Sequence, residues 1–113
     1  MKKIDKPWGF ELIWAHTEKY VGKFLHINNG FSLSLQYHNI KDETICVKSG
    51  ILTLEIVENG VKKFFKLKEG ETFRITPKMI HRMSSDDGDV IVIEVSTPEL
   101  SDVVRLADNY GRV

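Results

Sequence analysis

The sequence predicts an all-β fold, and three observations support that prediction. Apolar residues alternate with polar ones over short runs, as expected of strands that bury one face. These runs end at Gly, Asn, Asp or Pro, which favour turns. Segments with the 3.6-residue spacing of a helix are almost absent. Because the strands are short and no repeat or linker separates them, we expect them to close on themselves as a sandwich, jelly roll or barrel.

Nine segments have the alternation of a β-strand. They are residues 10–14, 20–27, 31–36, 43–48, 51–58, 62–66, 72–75, 81–84 and 90–96. Asn59 and Gly60 tolerate positive φ and predict a hairpin turn between the fifth and the sixth segment. Only residues 100–107 have helical spacing, which predicts a short helical tail outside the core.

Length and charge restrict the classes of function. With 113 residues and 42% hydrophobic content, the chain is expected to form a single domain, residues 1–113, around one core. Sixteen basic residues balance sixteen acidic ones, so no net field favours nucleic acid or an anionic membrane. No run approaches the roughly 18 apolar residues that span a bilayer, and residues 1–7 lack the apolar core of a signal peptide. We therefore expect a cytoplasmic protein.

Residues 31–38 are amphipathic in an unusual way. Their two faces are Phe31, Leu33, Leu35 and Tyr37 on one side and Ser32, Ser34, Gln36 and His38 on the other. Periodicity alone leaves open which face lines the interior. If the polar face does, Gln36 and His38 lie side by side in a wet cavity. The apolar face then needs cover from outside, most simply from another subunit, which predicts a homodimer.

Two further residues are candidates to join Gln36 and His38 in a metal site. Glu43 opens the next strand after a turn, so a hairpin would return its carboxylate toward them. His81 begins a later strand shortly after Pro77. Two imidazoles, a carboxylate and an amide oxygen suit a divalent metal ion, with Zn first and Mn, Fe, Co or Ni as alternatives. On spacing alone, ordinary strand histidines are an equally good interpretation.

The spacing of these residues resembles the first motif of the cupin superfamily. Five positions match it: Gly30, Gln36, His38, Glu43 and Gly50. Gln36 stands in place of the first histidine of that motif. Residues 70–81 are similar to the second cupin motif, although its usual Pro and Gly fall on Thr76 and Lys78. The resemblance implies a double-stranded β-helix, a jelly-roll barrel, with the four residues of the candidate site as metal ligands.

Within the cupins, the chain resembles the cupin domain of type II mannose-6-phosphate isomerases over nearly its whole length. The matching segments are residues 6–9, 33–38, 81–83, 93–95 and 104–112. Gln as the first ligand is a trait of that group, whereas Lys41 stands where Arg is common. The resemblance implies a metal-dependent isomerase that interconverts an aldose and a ketose through an enediolate, with a sugar phosphate as the expected substrate.

Such an isomerisation needs a base that moves a proton between adjacent carbons. Glu94 is the candidate, because it is the one acid in an apolar strand and shares a face with Val90 and Val92, where burial raises a carboxyl pKa. The alternative, that Glu94 is satisfied by a nearby Arg or a backbone donor, has equal weight.

Cations are needed to hold a phosphate or an acidic sugar. The candidates are Arg82, Arg74, Lys23 and Arg112, with Arg105 as a further one.

Two other classes of function stay open. Two histidines and a carboxylate also suit iron and oxygen, as in a dioxygenase-like cupin. A cupin that binds a sugar without turnover is the other alternative, because a fold and a metal site do not determine a function. In the isomerase and binding interpretations the partner is a small sugar or sugar phosphate.

Overall fold

The computed structural model describes residues 1–113, which form eleven β-strands and no helix. The strands are β1 (Lys2–Lys6), β2 (Gly9–His16), β3 (Val21–Ile27), β4 (Leu35–Tyr37), β5 (Glu43–Ser49), β6 (Leu52–Glu58), β7 (Val61–Leu67), β8 (Thr72–Ile75), β9 (Ile80–Ser84), β10 (Val90–Ser96) and β11 (Val104–Ala107). The all-β prediction is therefore confirmed, and all but one of the predicted strands lie close to their expected bounds. No helix of the chain is long and apolar enough to cross a membrane.

The strands form two antiparallel sheets. One has six strands in the order β1-β2-β3-β10-β5-β8, and the other has five in the order β11-β4-β9-β6-β7. Their inner faces pack together into one apolar cluster, as in other two-sheet folds. The cluster contains Trp8, Leu25, Ile27, Leu33, Ile45, Val47, Leu52, Leu54, Ile56, Leu67, Ile75, Met83, Val90 and Val92. Each sheet thus has one buried face, which explains the alternation in the sequence.

Strand β10 lies in the middle of the six-stranded sheet, between β3 and β5. Val90, Val92 and Glu94 are buried on its inner face. On the outer face, Val95 remains 47% exposed. The strand that is apolar on both sides is therefore central, as its composition predicts, but its outer face is only partly covered.

The segment that departs from its predicted strand is residues 31–36. Only β4 is regular there, and Ser32 forms an isolated bridge to Ser84. Leu33 and Ser34 are both buried although they are neighbours, which regular alternation would not allow. The break turns Leu33 into the core and leaves Ser34 against the cavity described below.

The helical tail predicted for residues 100–107 is wrong. Val104 and Arg105 lie in β11, where they pair with Tyr37 and Gln36 of β4 at the edge of the five-stranded sheet. An eight-residue helix without neighbours is marginal in water, whereas the open sheet edge provides hydrogen bonds for residues 104–107. Two adjacent valines also favour a strand.

Candidate metal centre

Three strands bring the four predicted metal ligands to one cavity. Gln36 in β4 lies directly across from His81 in β9. His38 follows the end of β4, and Glu43 is the first residue of β5. His38, Glu43 and His81 are 4%, 2% and 1% exposed. All four residues line a cavity of about 470 Å³, so from Ser34 to His38 the polar face is the one that faces the interior.

The distances within the cluster suit a single ion. Oε1 of Glu43 lies 3.5 Å from Nε2 of His38 and 3.5 Å from Nε2 of His81. The ligand atoms of these three residues all lie within 4.8 Å of one another. Atoms bound to one metal at ~2.0–2.2 Å in a tetrahedral arrangement stand about 3.4 Å apart. The three side chains therefore form a group that fits a divalent metal ion.

Hydrogen bonds to the backbone orient both imidazole rings in the same way, with Nε2 toward Glu43. Nδ1 of His38 lies 2.6 Å from the carbonyl oxygen of Asp102, and Nδ1 of His81 lies 2.9 Å from that of Met79. Because a carbonyl only accepts, each Nδ1 carries a proton and donates it, which leaves Nε2 as the ring nitrogen directed toward Glu43. Metal-binding histidines are commonly oriented by such outer hydrogen bonds.

Some of the atoms in this cluster that could bind a metal ion have no hydrogen-bond partner. Oε1 of Glu43 and Nε2 of His81 are buried and without a hydrogen bond. Oε2 of Glu43 is also buried, and its neighbour is the ammonium group of Lys41 at 3.0 Å. Burying polar atoms without a partner is costly, unless a ligand satisfies them. A divalent cation would satisfy Oε1 of Glu43 and Nε2 of His81 at once, so the chemistry of the donor set agrees with its spacing.

A buried lysine lies between two carboxylates beside this cluster. Nζ of Lys41 is 3.0 Å from Oε2 of Glu43 and 3.1 Å from Oε2 of Glu94. Burial lowers the pKa of Lys41, but the two carboxylates outweigh it and raise the pKa overall. Burial, with the charge of Glu43, raises the pKa of Glu94 to about 7. The partner of Glu94 is therefore a lysine. The pKa of Glu94 is raised, as the sequence predicts.

A comparison with protein families assigns the chain. Residues 1–108 match the family described as mannose-6-phosphate isomerase C-terminal. The chain belongs to this family. A comparison with curated proteins finds no match. The resemblance to type II mannose-6-phosphate isomerases is thus confirmed at the level of the family.

Solved structures show the cupin fold of this family member. KdgF from Halomonas sp. is 21% identical with a TM-score of 0.72, over 88% of this chain and 87% of that one. A Klebsiella pneumoniae protein with a double-stranded β-helix domain is 19% identical with a TM-score of 0.73, over 95% and 85%. CapF from Staphylococcus aureus, a capsular polysaccharide assembling protein, is 16% identical with a TM-score of 0.81, over 94% of this chain and 34% of CapF. The chain thus spans about a third of CapF.

The candidate substrate cations of this cupin lie in different places. Lys23 and Arg112 line the cavity, each next to a carboxylate. Arg74 and Arg82 do not line it. Arg74 is exposed and lies 2.6 Å from Asp42 on the outside.

Arg82 follows His81 directly in β9, so its side chain points to the opposite face of the sheet. It donates a hydrogen bond to the carbonyl oxygen of Ala107. Arg105 in β11, by contrast, lines the cavity.

The residue that the sequence analysis missed in this cupin is Asp102. Its carboxylate accepts hydrogen bonds from the backbone N–H groups of Asn39, Ile40 and Lys41, at 3.0, 2.7 and 2.9 Å. These backbone donors lower the pKa of Asp102 to about 2. Its own carbonyl oxygen accepts from His38. Asp102 therefore fixes both a candidate ligand and the turn that leads to Glu43, a role that no local spacing indicates.

Proposed function

We propose that this cupin is a metal-dependent sugar isomerase that interconverts an aldose and a ketose, with mannose 6-phosphate as the first substrate to test. The observation that carries the proposal is a cluster of unsatisfied ligand atoms beside Glu94, a buried carboxyl group with a pKa of about 7. Membership of the mannose-6-phosphate isomerase C-terminal family supports the choice of substrate.

The proposed ligands are His38, Glu43, His81 and Gln36. The amide nitrogen of Gln36 donates to the carbonyl and the hydroxyl of Ser34, so its oxygen is the atom available as the fourth ligand. A nitrogen and oxygen donor set of this kind suits Zn, with Mn, Fe, Co or Ni as alternatives. When bound, the metal ion would supply positive charge that polarises the carbonyl and hydroxyl oxygens of the sugar.

In this proposal Glu94 is the base. A carboxylate with a pKa near neutrality takes the proton from C2 of the aldose, and the electron pair left behind spreads over the two oxygens as an enediolate. Transfer of the hydroxyl proton from O2 to O1 and return of the abstracted proton to C1 complete the ketose. Lys41 holds the carboxylate of Glu94 in place through its contact at 3.1 Å. Core residues that also line the cavity exclude water from the reacting carbons; they are Trp8, Leu25, Leu33 and Met83.

The test combines metal analysis with a coupled assay for the conversion of mannose 6-phosphate to fructose 6-phosphate. The purified protein is loaded separately with Zn, Mn, Fe, Co and Ni. We expect turnover with at least one metal and none with the chelated protein. Absence of isomerisation with every metal would overturn the proposal.

A second function has one observation in its favour. Two histidines and one carboxylate within 4.8 Å of one another also match the ligand set of non-haem iron oxygenases. Oxygen consumption by the ferrous protein in the presence of a sugar, without isomerisation, would favour this dioxygenase-like alternative. Sugar binding without either reaction would instead favour an accessory, non-catalytic cupin.

We also propose a homodimer. Apolar residues remain on the surface after folding, among them Trp14 at 45% and Val95 at 47% exposure. The chain itself covers part of the apolar face of residues 31–37, since Phe31 stacks on Tyr110 with ring centres 6.5 Å apart. Light scattering after size exclusion should give twice the 13.0 kDa mass of the chain. A mass of 13.0 kDa would contradict the dimer.

A further inference from the structure

The cavity of this cupin has a row of side chains that crosses three strands. Arg105 in β11 pairs with Gln36 in β4, which in turn pairs with His81 in β9. Residues directly opposite each other on neighbouring strands point to the same face of a sheet, and all three line the cavity. At about 4.8 Å per strand spacing, the backbone of Arg105 stands about 10 Å from that of His81.

The charges that line this cavity are mostly basic. Six Lys and Arg side chains line it against three Glu side chains. Lys41 contacts Glu43 and Glu94, and Lys23 contacts Glu11 at 3.4 Å. The cavity as a whole therefore has a surplus of positive charge, although its most buried cations are already neutralised.

Arg105 differs from these paired cations. Its Nε is buried and has no hydrogen-bond partner. The other arginine of the cavity, Arg112, makes hydrogen bonds through Nε and Nη2 to Asp108, at 2.9 and 2.8 Å. A guanidinium group without a carboxylate partner, with a buried donor in the lining of a cavity, suits the oxygens of an anionic group such as a carboxylate or a phosphate.

We propose that Arg105 forms the anion-binding subsite of this cavity, and that it holds the carboxylate or the phosphate of a sugar whose other end reaches the His38, Glu43 and His81 cluster. The cavity volume of about 470 Å³ falls within the usual range of small-molecule sites. The inference rests on the proposed function for the sugar nature of the ligand. It adds the residue that recognises the negative charge of the ligand.

Isothermal titration calorimetry on the full chain tests the subsite. The probes are inorganic phosphate, glucuronate, mannose 6-phosphate and neutral mannose, each titrated into the chelated protein and into the zinc-loaded protein. Chelated protein isolates the contribution of Arg105, because anions also bind metal ions directly. Comparison of phosphate with glucuronate tells whether the subsite prefers a phosphate or a carboxylate.

The variants are Arg105→Gln, Arg105→Lys and, as a matched control, Arg74→Gln, which removes an arginine that lies outside the cavity. We expect Arg105→Gln to weaken binding of the preferred anion at least tenfold and Arg105→Lys to weaken it less, because Lys keeps the charge but loses the bidentate geometry. Zinc affinity, measured by chelator competition, should change less than twofold. Circular dichroism checks that each variant is folded.

Three results would overturn the subsite: anion binding that survives Arg105→Gln, an equal loss in Arg74→Gln, or the absence of anion binding in the unsubstituted protein. Failure of the isomerase proposal is distinguishable from these. Anion binding that depends on Arg105, together with no turnover of mannose 6-phosphate, supports the subsite and rejects the isomerase. Full kcat/KM in Arg105→Gln rejects the subsite and keeps the isomerase.

Discussion

Two parts of the chain around the cavity differ in whether their polar atoms have hydrogen-bond partners. One is the part with the candidate ligands, residues 36–81, and the other is the C-terminal part, residues 99–112. Glu43 and His81, in the part that supplies the candidate ligands, have buried atoms without hydrogen-bond partners. In the C-terminal part, Asp102 accepts three backbone hydrogen bonds, and Asp108 is paired with Arg112. The atoms that are free to bind a ligand therefore lie in one part of the chain, and the groups that hold the site in its geometry lie in the other. Among the residues of the C-terminal part that line the cavity, Arg105 is the exception, because its Nε is buried without a partner, and this makes it a candidate for ligand binding.

Removal of a ligand imidazole should have the largest effect. We expect His38→Ala and His81→Ala to abolish metal retention, because two remaining protein ligands of the buried cluster do not hold an ion through gel filtration. Metal content by mass spectrometry after gel filtration measures this. The matched control is His26→Ala, since His26 does not line the cavity and contacts Asp89 instead. Full occupancy in either ligand variant would remove that residue from the set.

Replacement of the proposed base should separate chemistry from metal binding. We expect Glu94→Gln to keep its metal and to lower kcat by about 10²–10⁴, because the amide cannot accept the proton. Glu55→Gln is the matched control, since Glu55 is also a buried carboxylate but does not line the cavity. The coupled isomerase assay and metal analysis measure the two effects. An unchanged kcat in Glu94→Gln would exclude Glu94 as the base.

The ligand part of the cavity could be predicted from the sequence because its information is local. Gln36 and His38 share one face of a strand by the two-residue period, and a turn returns the chain at Glu43. The buried inner face of β10 similarly placed Glu94 beside Val90 and Val92. Strand alternation and turn residues indicated which side chains share a face, whereas the choice of a metal site over ordinary strand histidines depended on the resemblance to the cupin motifs.

The C-terminal part could not be predicted in the same way. Residues 100–107 fit a helical period, and the pairing of β11 with β4 that decides their structure is a tertiary contact. The hydrogen bonds that Asp102 accepts from the turn at residues 39–41 are tertiary contacts as well. For Arg74, composition indicated a useful cation, while only the assembled sheets reveal that it lies outside the cavity.

Loss of the Asp102 carboxylate should have an intermediate effect. Asp102→Ala frees the turn between His38 and Glu43, so we expect metal affinity to fall by about 10–100-fold without being abolished, as is common for outer residues of a metal site. Competition with a fluorescent chelator measures the affinity. Asp89→Ala is the matched control, because Asp89 also accepts a backbone hydrogen bond, from Asn29, but lies outside the cavity. Equal affinities of the two variants would show that the carboxylate of Asp102 does not organise the ligands.

The smallest effect concerns stability at acid pH. The pKa of Asp102 is lowered from 3.8 to about 2 by the backbone N–H groups of Ile40, Lys41 and Asn39. A lowered pKa means that the native state favours the charged form, so the stabilisation is complete above pH 3.8 and is lost as the pH falls toward 2.

Thermal unfolding of the chelated protein and of Asp102→Asn, followed by circular dichroism between pH 5 and pH 2, measures this contribution. The Tm of the unsubstituted protein should exceed that of Asp102→Asn at pH 5, and the difference should shrink steadily below pH 4 because protonation removes the same acceptor that the substitution removes. A difference in Tm that stays constant down to pH 2 would mean that the charge of Asp102 does not hold the turn. The C-terminal part would then stabilise the site through the carbonyl contact to His38 alone.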